Sequence, residues 1–579
     1  MATRALPIPA THRGFTVKAA GAEVPRQHQL LAATVVKTVN RVSSARLVYL
    51  DGSASAGKFP LADDALFVPG QEIEVLAGPA GSPVSIFAGV VVRQSVKVRD
   101  ASAPQLIVEC RHKAAKLTVG RKNAYYMDQS DSDIVSALLG DAGLSASVES
   151  TPLKHKQQVQ YRSTDWDFLL ARARANGKLV LTNDGTVAVK APTTSTTPSV
   201  TLQFGATVLE LDAEIDARVQ FAGVKGISWD PAQQSLVESD ASAPRVATPG
   251  NLTSDDLAAV VGLPSYDLRH AAIVEDEAKA WADAEWLHSA MSKVSGRAKC
   301  EGVATVNPGD VVSLAGVGER YNGTAFVTGV RHDFDLVSGW KTNVQFGGLS
   351  SSPSEDPDRT APQAGDLLPA VHGMQVGVVT SNEDPDGEHR VRVRLPLVDN
   401  DEDGVWARVA SLDAGADRGF FFRPEIGDEV VVGFFDDDPR RPVMLGMLHS
   451  SANAAPLSGS NDNHEKVYQS RSKLKLSFND DTKVIEISTP AGNTLTLSEA
   501  DTAITIADQN SNTLKMTPDG ITVESSKALT LKAGTTLLLE SGTSFSMKGG
   551  SAVKVEASGS AELSSSGTTT IKGSLVRIN

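Results

Sequence analysis

The most regular hydrophobic pattern in the chain lies at its C-terminal end. There, pairs two residues apart return every eight residues: Leu529 and Leu531, Leu537 and Leu539, Phe545 and Met547, Val553 and Val555, Ala561 and Leu563, then Thr569 and Ile571. Spacing of two within a pair predicts extended backbone with one buried face, and Gly534, Gly542 and Gly550 keep the same step as turn residues. The pairs Leu495 and Leu497, Ile504 and Ile506, Leu514 and Met516, and Ile521 and Val523 read as a looser version of this repeat. An octad spans at most about 27 Å, whereas a closed loop around a filled core, with facing sheets ~10 Å apart, needs a perimeter well above ~40 Å. One chain therefore cannot close a coil per octad. Three chains can, as a triangular prism that leaves no long strand edge open; two chains leave less room for Leu, Phe and Met. The predicted core of this trimeric needle is Leu529, Leu531, Leu537, Leu539, Phe545, Met547, Val553, Val555, Leu563 and Ile571. A disordered Ser/Thr/Gly tail would have no use for apolar pairs held in register.

Before the needle, alternation marks a compact all-β segment at about 373–455. Val391, Val393 and Leu395 alternate with Arg390, Arg392 and Arg394, which predicts one buried face and one basic face. Asp384, Pro385, Asp386 and Gly387 supply a turn, and a second strand pair surrounds Glu425 to Val432. About 80 residues with five or so strands fit a small closed barrel of the oligonucleotide/oligosaccharide-binding (OB) type. The Ser-, Pro- and Asp-rich stretch at 353–372 reads as a linker. Residues 1–352 mix short strands with at least three helices, which suggests barrels or sandwiches decorated by helices; the family resemblance described below implies two barrels there. Ser130 with Asp133, and Thr164 with Asp167, are N-cap pairs ahead of apolar positions, with Gly143 and Gly177 as stops. A longer helix is predicted near Val274 to Val294, with Glu275 spaced to pair with Lys279 and with Trp281, Trp286 and Met291 as packing residues. The fold class is mainly β: a hub of barrels decorated by helices, an OB-type barrel, and an intertwined trimeric β-prism from 456 to 579.

Composition narrows the function. The chain has 579 residues, enough for about three to five folded units. Lys+Arg 55 against Asp+Glu 69 gives a net charge of −14, which argues against a protein that coats nucleic acid or anionic membrane. The two cysteines, Cys110 and Cys300, make neither a disulfide framework nor a thiolate metal site, and read as small core residues. No secretory-type apolar segment follows the first basic residues and no run of 18 apolar residues occurs, so the expectation is synthesis in the cytoplasm without a signal peptide.

Signatures of common chemistry are missing: no GxxxxGK[ST], HExxH, GxSxG, CxxC or EF-hand loop occurs. No catalytic residue, metal ligand or cofactor site is expected. Asp436, Asp437 and Asp438, followed by Pro439, Arg440, Arg441 and Pro442, read as a solvated hairpin turn rather than a metal site. Arg390, Arg392 and Arg394 raise single-stranded nucleic acid as a ligand, but Asp399, Asp401, Glu402 and Asp403 follow at once and no aromatics interleave in the sequence, so nucleic acid is not an expected partner.

Within the middle segment, GVVTSNEDPDGEHRVRVRLP, then Val405 to Val409, then GFFFRPEIGDEVVVGFF and DPRRPVMLG, resemble the baseplate-spike barrel of the VgrG family and its phage tail-spike relatives. QVQYRSTDWDFLLARARANG resembles a segment of their hub-like base, and SRSKLKLSFNDDTKVIEISTPAGNTLTL resembles the start of their needle. The resemblance implies a homotrimeric puncturing spike of a contractile injection system, assembled in the baseplate of an injection particle or phage tail and delivered outside the cell. It implies contacts with an Hcp-like inner tube and baseplate proteins, and transiently with a target-cell membrane, and no bond chemistry. The arginine face of the barrel would pair with acidic residues of neighbouring subunits. The end of the prism, Val576, Ile578 and Asn579, would hold a tip protein of the PAAR kind, with or without an effector, since no histidine follows His464 to ligate a tip metal. The alternative is a trimeric phage tail spike that cleaves surface polysaccharide, for which the needle offers a single aromatic, Phe545, after Ser488.

Overall fold

The computed structural model describes residues 13–79, 82–100, 102–183, 185–230, 235–246, 248–270, 273–348, 363–364 and 368–578. The chain divides into two compact units, one through Asn453 and one from Ala454.

The first unit is organised by a thirteen-stranded sheet. From one edge it runs Val208–Ile215, Val294–Glu301, Gly339–Phe346, Gly323–Asp335, Leu30–Thr38, Ser44–Leu50, Ser102–Arg111, Val84–Arg99, Glu72–Pro79 and Arg13–Ala19, with Ala22–Glu23 outside the last, and Val311–Ala315 followed by Thr201–Gln203 branches from Gly323–Asp335. Alternation along these strands buries two separate cores. Val35, Leu47, Tyr49, Phe67, Val75, Phe87 and Cys110 fill one, and Ala298, Cys300, Val312, Val327, Val344 and Phe346 fill the other. Both cysteines are free and buried, as expected. The two cores share one sheet because Gly323–Asp335 pairs antiparallel with Leu30–Thr38, Gly329 facing Thr38.

Four helices lie outside this sheet: α1, Asp131–Asp141; α2, Asp165–Ala175; α3, Ser254–Val261; and α4, Glu275–Met291. Ser130 and Asp133 close the full reciprocal capping box on α1. Thr164 caps α2 through the Asp167 amide only. Helix α3 was not anticipated, although Thr253 and Asp256 form a second capping box and Gly262, at φ 69°, ends it in the left-handed conformation. Helix α4 has no side-chain cap; Glu275, Asp276 and Glu277 in its first turn face the positive end of the helix dipole instead. The expected Glu275 pairing is corrected, because Lys279 reaches Asp283 at 3.4 Å and the carbonyl of Asp240 at 3.1 Å. Trp281 and Met291 are buried, and Trp286 is half-buried and donates its indole N–H to the Phe221 carbonyl.

The middle barrel closes through Gln375–Ser381, Val391–Arg394, Val405–Val409, Pro442–Met447 and Glu429–Phe434. Gly387, at φ 71°, completes the predicted turn with its amide 3.2 Å from the Asp384 carbonyl. Gly404 cannot be replaced quietly, since φ is +88° and an added Cβ would lie 2.1 Å from the Val393 carbonyl oxygen. The barrel core, built from Val379, Val391, Val393, Leu395, Val405, Val430 and Val432, also includes Val159 and Tyr161 from the base strand Lys154–Ser163. The Tyr161 hydroxyl reaches Gln375 at 2.9 Å, and the Leu395 amide donates to the Tyr125 hydroxyl at 2.9 Å.

The second unit opens with a seven-stranded antiparallel meander: Glu465–Gln469, Lys475–Asn479, Val484–Ser488, Thr494–Ser498, Ala503–Ala507, Thr513–Thr517 and Gly520–Glu524. This corrects the reading of 495–523 as loose octads. The repeat there is a hairpin of 19 residues: the turn bond from the Ser470 amide to the Leu474 carbonyl recurs from Thr489 to Asn493 and from Asp508 to Asn512. After Glu524 the pattern changes. The chain runs outside strand and helix between bends at 526–527, 534–535, 542–543, 550–551, 558–559, 566–567 and 574–575, so it bends every eight residues in step with the sequence repeat.

Candidate functional site

Among the described residues, no group of three or more His, Cys, Asp or Glu side chains is arranged to hold a metal ion. No described helix is long and apolar enough to cross a membrane. The features with chemical character are an apolar face and a joint of buried charges.

The apolar face belongs to the octads. Leu529, Leu531, Leu537, Leu539, Phe545, Met547, Val553, Val555, Leu563 and Ile571 are each more than half exposed in the single chain. Among the described residues, the last strand ends at Glu524, so the octads lie outside any sheet of their own chain. The meander is similar, with Ile485, Ile487, Leu497, Ile504, Ile506 and Val523 exposed. In the whole second unit Ala503 is the one buried apolar residue among those described. Such a surface is stable only when covered, and extended backbone with open amides takes further strands most readily. Val576 and Ile578 are exposed too, and Asn579 lies outside the described residues.

The joint of charges was invisible in the sequence, since its members are scattered over 300 positions. Arg172 on α2 is fully buried and grips Asp131 at the start of α1 with two bonds, at 2.6 and 3.0 Å. His155 Nε2 lies 3.1 Å from Asp131, and Asn176 donates to the same carboxylate at 2.7 Å. Glu277 of α4 receives Arg440 Nη1 at 2.5 Å, with Arg172 at 3.7 Å and Arg441 at 4.0 Å. Arg440 also holds Asp438 in a fork, with bonds of 3.0 and 2.8 Å, beneath the Trp281 ring. Asp438, Arg440 and Arg441 therefore leave the solvated turn expected of them: the barrel inserts this corner among the helices of the base.

The electrostatics follow from burial. Burial alone would raise the Asp131 and Glu277 carboxyls, but nearby cations outweigh it. Arg172 and His155 hold Asp131 far below the usual carboxylate range, and Arg440 with Arg172 brings Glu277 down to about 2. Burial pulls the Arg441 guanidinium down and Arg440 adds to this, while Asp438 and Glu277 raise Arg440. Three carboxylates, Asp131, Glu277 and Asp438, balance three guanidiniums, Arg172, Arg440 and Arg441.

On the arginine face of the barrel, Arg390 and Arg392 have partners within their own chain. Arg390 is held by Asp384 and Asp386, each at 2.7 Å, and Arg392 by Asp403 at 2.9 Å, all in the same chain. Trp406 faces Arg392 across the strand pair, with both guanidiniums about its ring at 5.8 and 6.0 Å, an aromatic partner that sequence order had hidden. These arginines spend their charge at home.

Comparison with known proteins agrees with this architecture. A family model described as type VI secretion system/phage-baseplate injector OB domain matches residues 375–449, the closed barrel. The type VI secretion system spike protein VgrG3 of Vibrio cholerae is 32% identical over 99 residues, 15% of this chain and 9% of that protein. Spike protein VgrG1b of Pseudomonas aeruginosa is 33% identical over 100 residues, 15% and 13% of the two chains. The chain thus spans only about a tenth of the length of these curated relatives. Among solved structures, the lidded Francisella PdpA-VgrG complex matches with a TM-score of 0.52 at 8% identity, over 89% of this chain and 80% of that one, a likeness of fold. The class is that of VgrG-like, phage-baseplate-type spike proteins. By its longer match, the chain belongs to the family whose model is described as Alg8 N-terminal domain, which covers residues 10–335, more than half of its length.

Proposed function

We propose that the protein is the homotrimeric central spike of a contractile injection system. In this reading the base sits on an Hcp-like inner tube within the baseplate, the OB barrel carries load forward, and the octads of three chains wind into a stiff puncturing needle. The observation that carries it is the octad region, whose bends recur every eight residues and whose apolar pairs stand more than half exposed in one chain. The buried charge joint supports load transfer, because directional ion pairs resist sliding between base and barrel in a way that apolar packing alone does not. Exposed Val576 and Ile578 suit a flat apolar contact with a tip protein of the PAAR kind, which would carry an effector into a target cell through its membrane. The work is mechanical, and the spike itself breaks no covalent bond.

Mass photometry of the full-length chain and of a truncation ending at Ser451 tests this. The full chain is expected at three times the mass of one chain, and the truncation at a lower stoichiometry. A monomeric full-length protein with a folded needle refutes the proposal.

A further inference from the structure

The octads carry charge as regularly as they carry apolar side chains. The residue after each second apolar position is Glu524, Lys532, Glu540, Lys548, Glu556, Ser564 and Lys572, all at a step of eight. The first five alternate in sign without a break. Where Ser564 interrupts the series, the charge moves two residues earlier on the same outward face, to Glu562, and Lys554 stands at that position one octad before it. Counted by octad from Leu529, the net charges are + (Lys532), − (Glu540), + (Lys548), 0 (Lys554 with Glu556), − (Glu562) and + (Lys572). No two successive octads share a sign. All of these side chains are exposed, and within the single chain Lys554 pairs with its neighbour Glu556.

Resting on the trimeric reading above, the geometry points to a charge ladder that sets the register of three copies of this chain. A chain that turns at each bend moves one face round the prism and one rung along it per octad. On any face, the strand stacked on octad n of one chain is then octad n+1 of another, about 4.8 Å away. Alternating sign places Lys over Glu at each contact from Glu524 to Glu556, and again where Lys554 meets Glu562, an arrangement that stabilises cross-strand neighbours. Within Glu524 to Glu556, a chain that slips by one octad meets octad n or n+2 instead, and both bring like charges together. The apolar pairs distinguish registers only by side-chain size, because each octad turns a pair at the same two positions to the axis. The ladder therefore supplies the specificity that a uniform hydrophobic repeat lacks.

The test uses full-length protein in three forms. The first is wild type. The second, Glu540→Lys with Glu556→Lys, gives the four successive octads from Leu529 to Ser560 one sign. In the third, every charge is reversed, by Glu524→Lys, Lys532→Glu, Glu540→Lys, Lys548→Glu, Lys554→Glu, Glu556→Lys, Glu562→Lys and Lys572→Glu, so that alternation is kept. At low ionic strength the single-sign trimer is expected to melt roughly 5 °C or more below wild type, with the gap closing in high salt, while the reversed form melts with wild type. A single-sign trimer as stable as wild type at low salt overturns the ladder, as does a reversed form no better than the single-sign one. A wild-type chain that is not a trimer instead overturns the reading on which the ladder stands.

Discussion

Glu277 is the residue on which the join between base and barrel turns. It sits at the start of α4, fully enclosed, and meets Arg440 at 2.5 Å, Arg172 at 3.7 Å and Arg441 at 4.0 Å. Replacing a buried ion pair by apolar groups can be neutral, but removing one partner strands the other. Glu277→Gln is therefore expected to cost about 3–5 kcal/mol in the unfolding of the first unit, read by urea titration of tryptophan fluorescence. The pH dependence has a definite sign. The folded-state pKa is depressed from 4.5 to about 2, so the stabilisation is complete above pH 4.5 and is lost as pH falls toward 2. Wild type should lose stability across that window, and the variant should lose less. An identical acid limb in both proteins shows that the pairing does not carry that stability.

At the scale of elements, the octad assigns sides to neighbouring residues. Phe545 and Met547 belong to the inward pair and Ser546 lies between them, so alternation sends Ser546 outward. In the proposed trimer, Phe545→Asp would place three charges at a dry axis and is expected to cost several kcal/mol and dissociate the assembly, whereas Ser546→Asp leaves it intact. Native gel migration of the two variants decides between a closed prism and an open ribbon, which would tolerate both. The same local logic explains what could be read before the structure. Capping boxes, barrel strands and octads are written in neighbours up to eight residues apart, so they were legible. The 19-residue hairpin repeat was mistaken for loose octads because apolar pairs two residues apart look alike in both, and only the Ser470, Thr489 and Asp508 turns separate them. Helix α3 carried its own legible signal, the Thr253 and Asp256 box, and was passed over. The charge joint had none. Asp131, His155, Arg172, Glu277 and Arg440 come together only through tertiary packing, and nothing local to Asp436, Asp437 and Asp438 distinguishes the buried third carboxylate from the exposed first and half-buried second.

For the whole molecule, the two units differ in where their stability comes from. The first encloses several apolar cores within one chain, including those around Leu47, around Val344 and inside the barrel around Val393. The second buries Ala503 alone among its described apolar residues, far too little to offset the entropy of ordering more than a hundred residues. Its order must be drawn from association, and association obeys mass action. Calorimetry over a hundredfold range of protein concentration should therefore resolve two transitions. The one from the base and barrel should hold its midpoint, or shift only as far as contacts between bases contribute. The one from the needle should climb with concentration, and it should vanish in the truncation ending at Ser451. A slow scan is needed, because a wound three-chain needle unwinds slowly and a fast scan reports a rate instead of an equilibrium. A needle transition that is reversible and independent of concentration would mean that one chain folds this unit alone, and the exposed octad pairs would then need a different explanation.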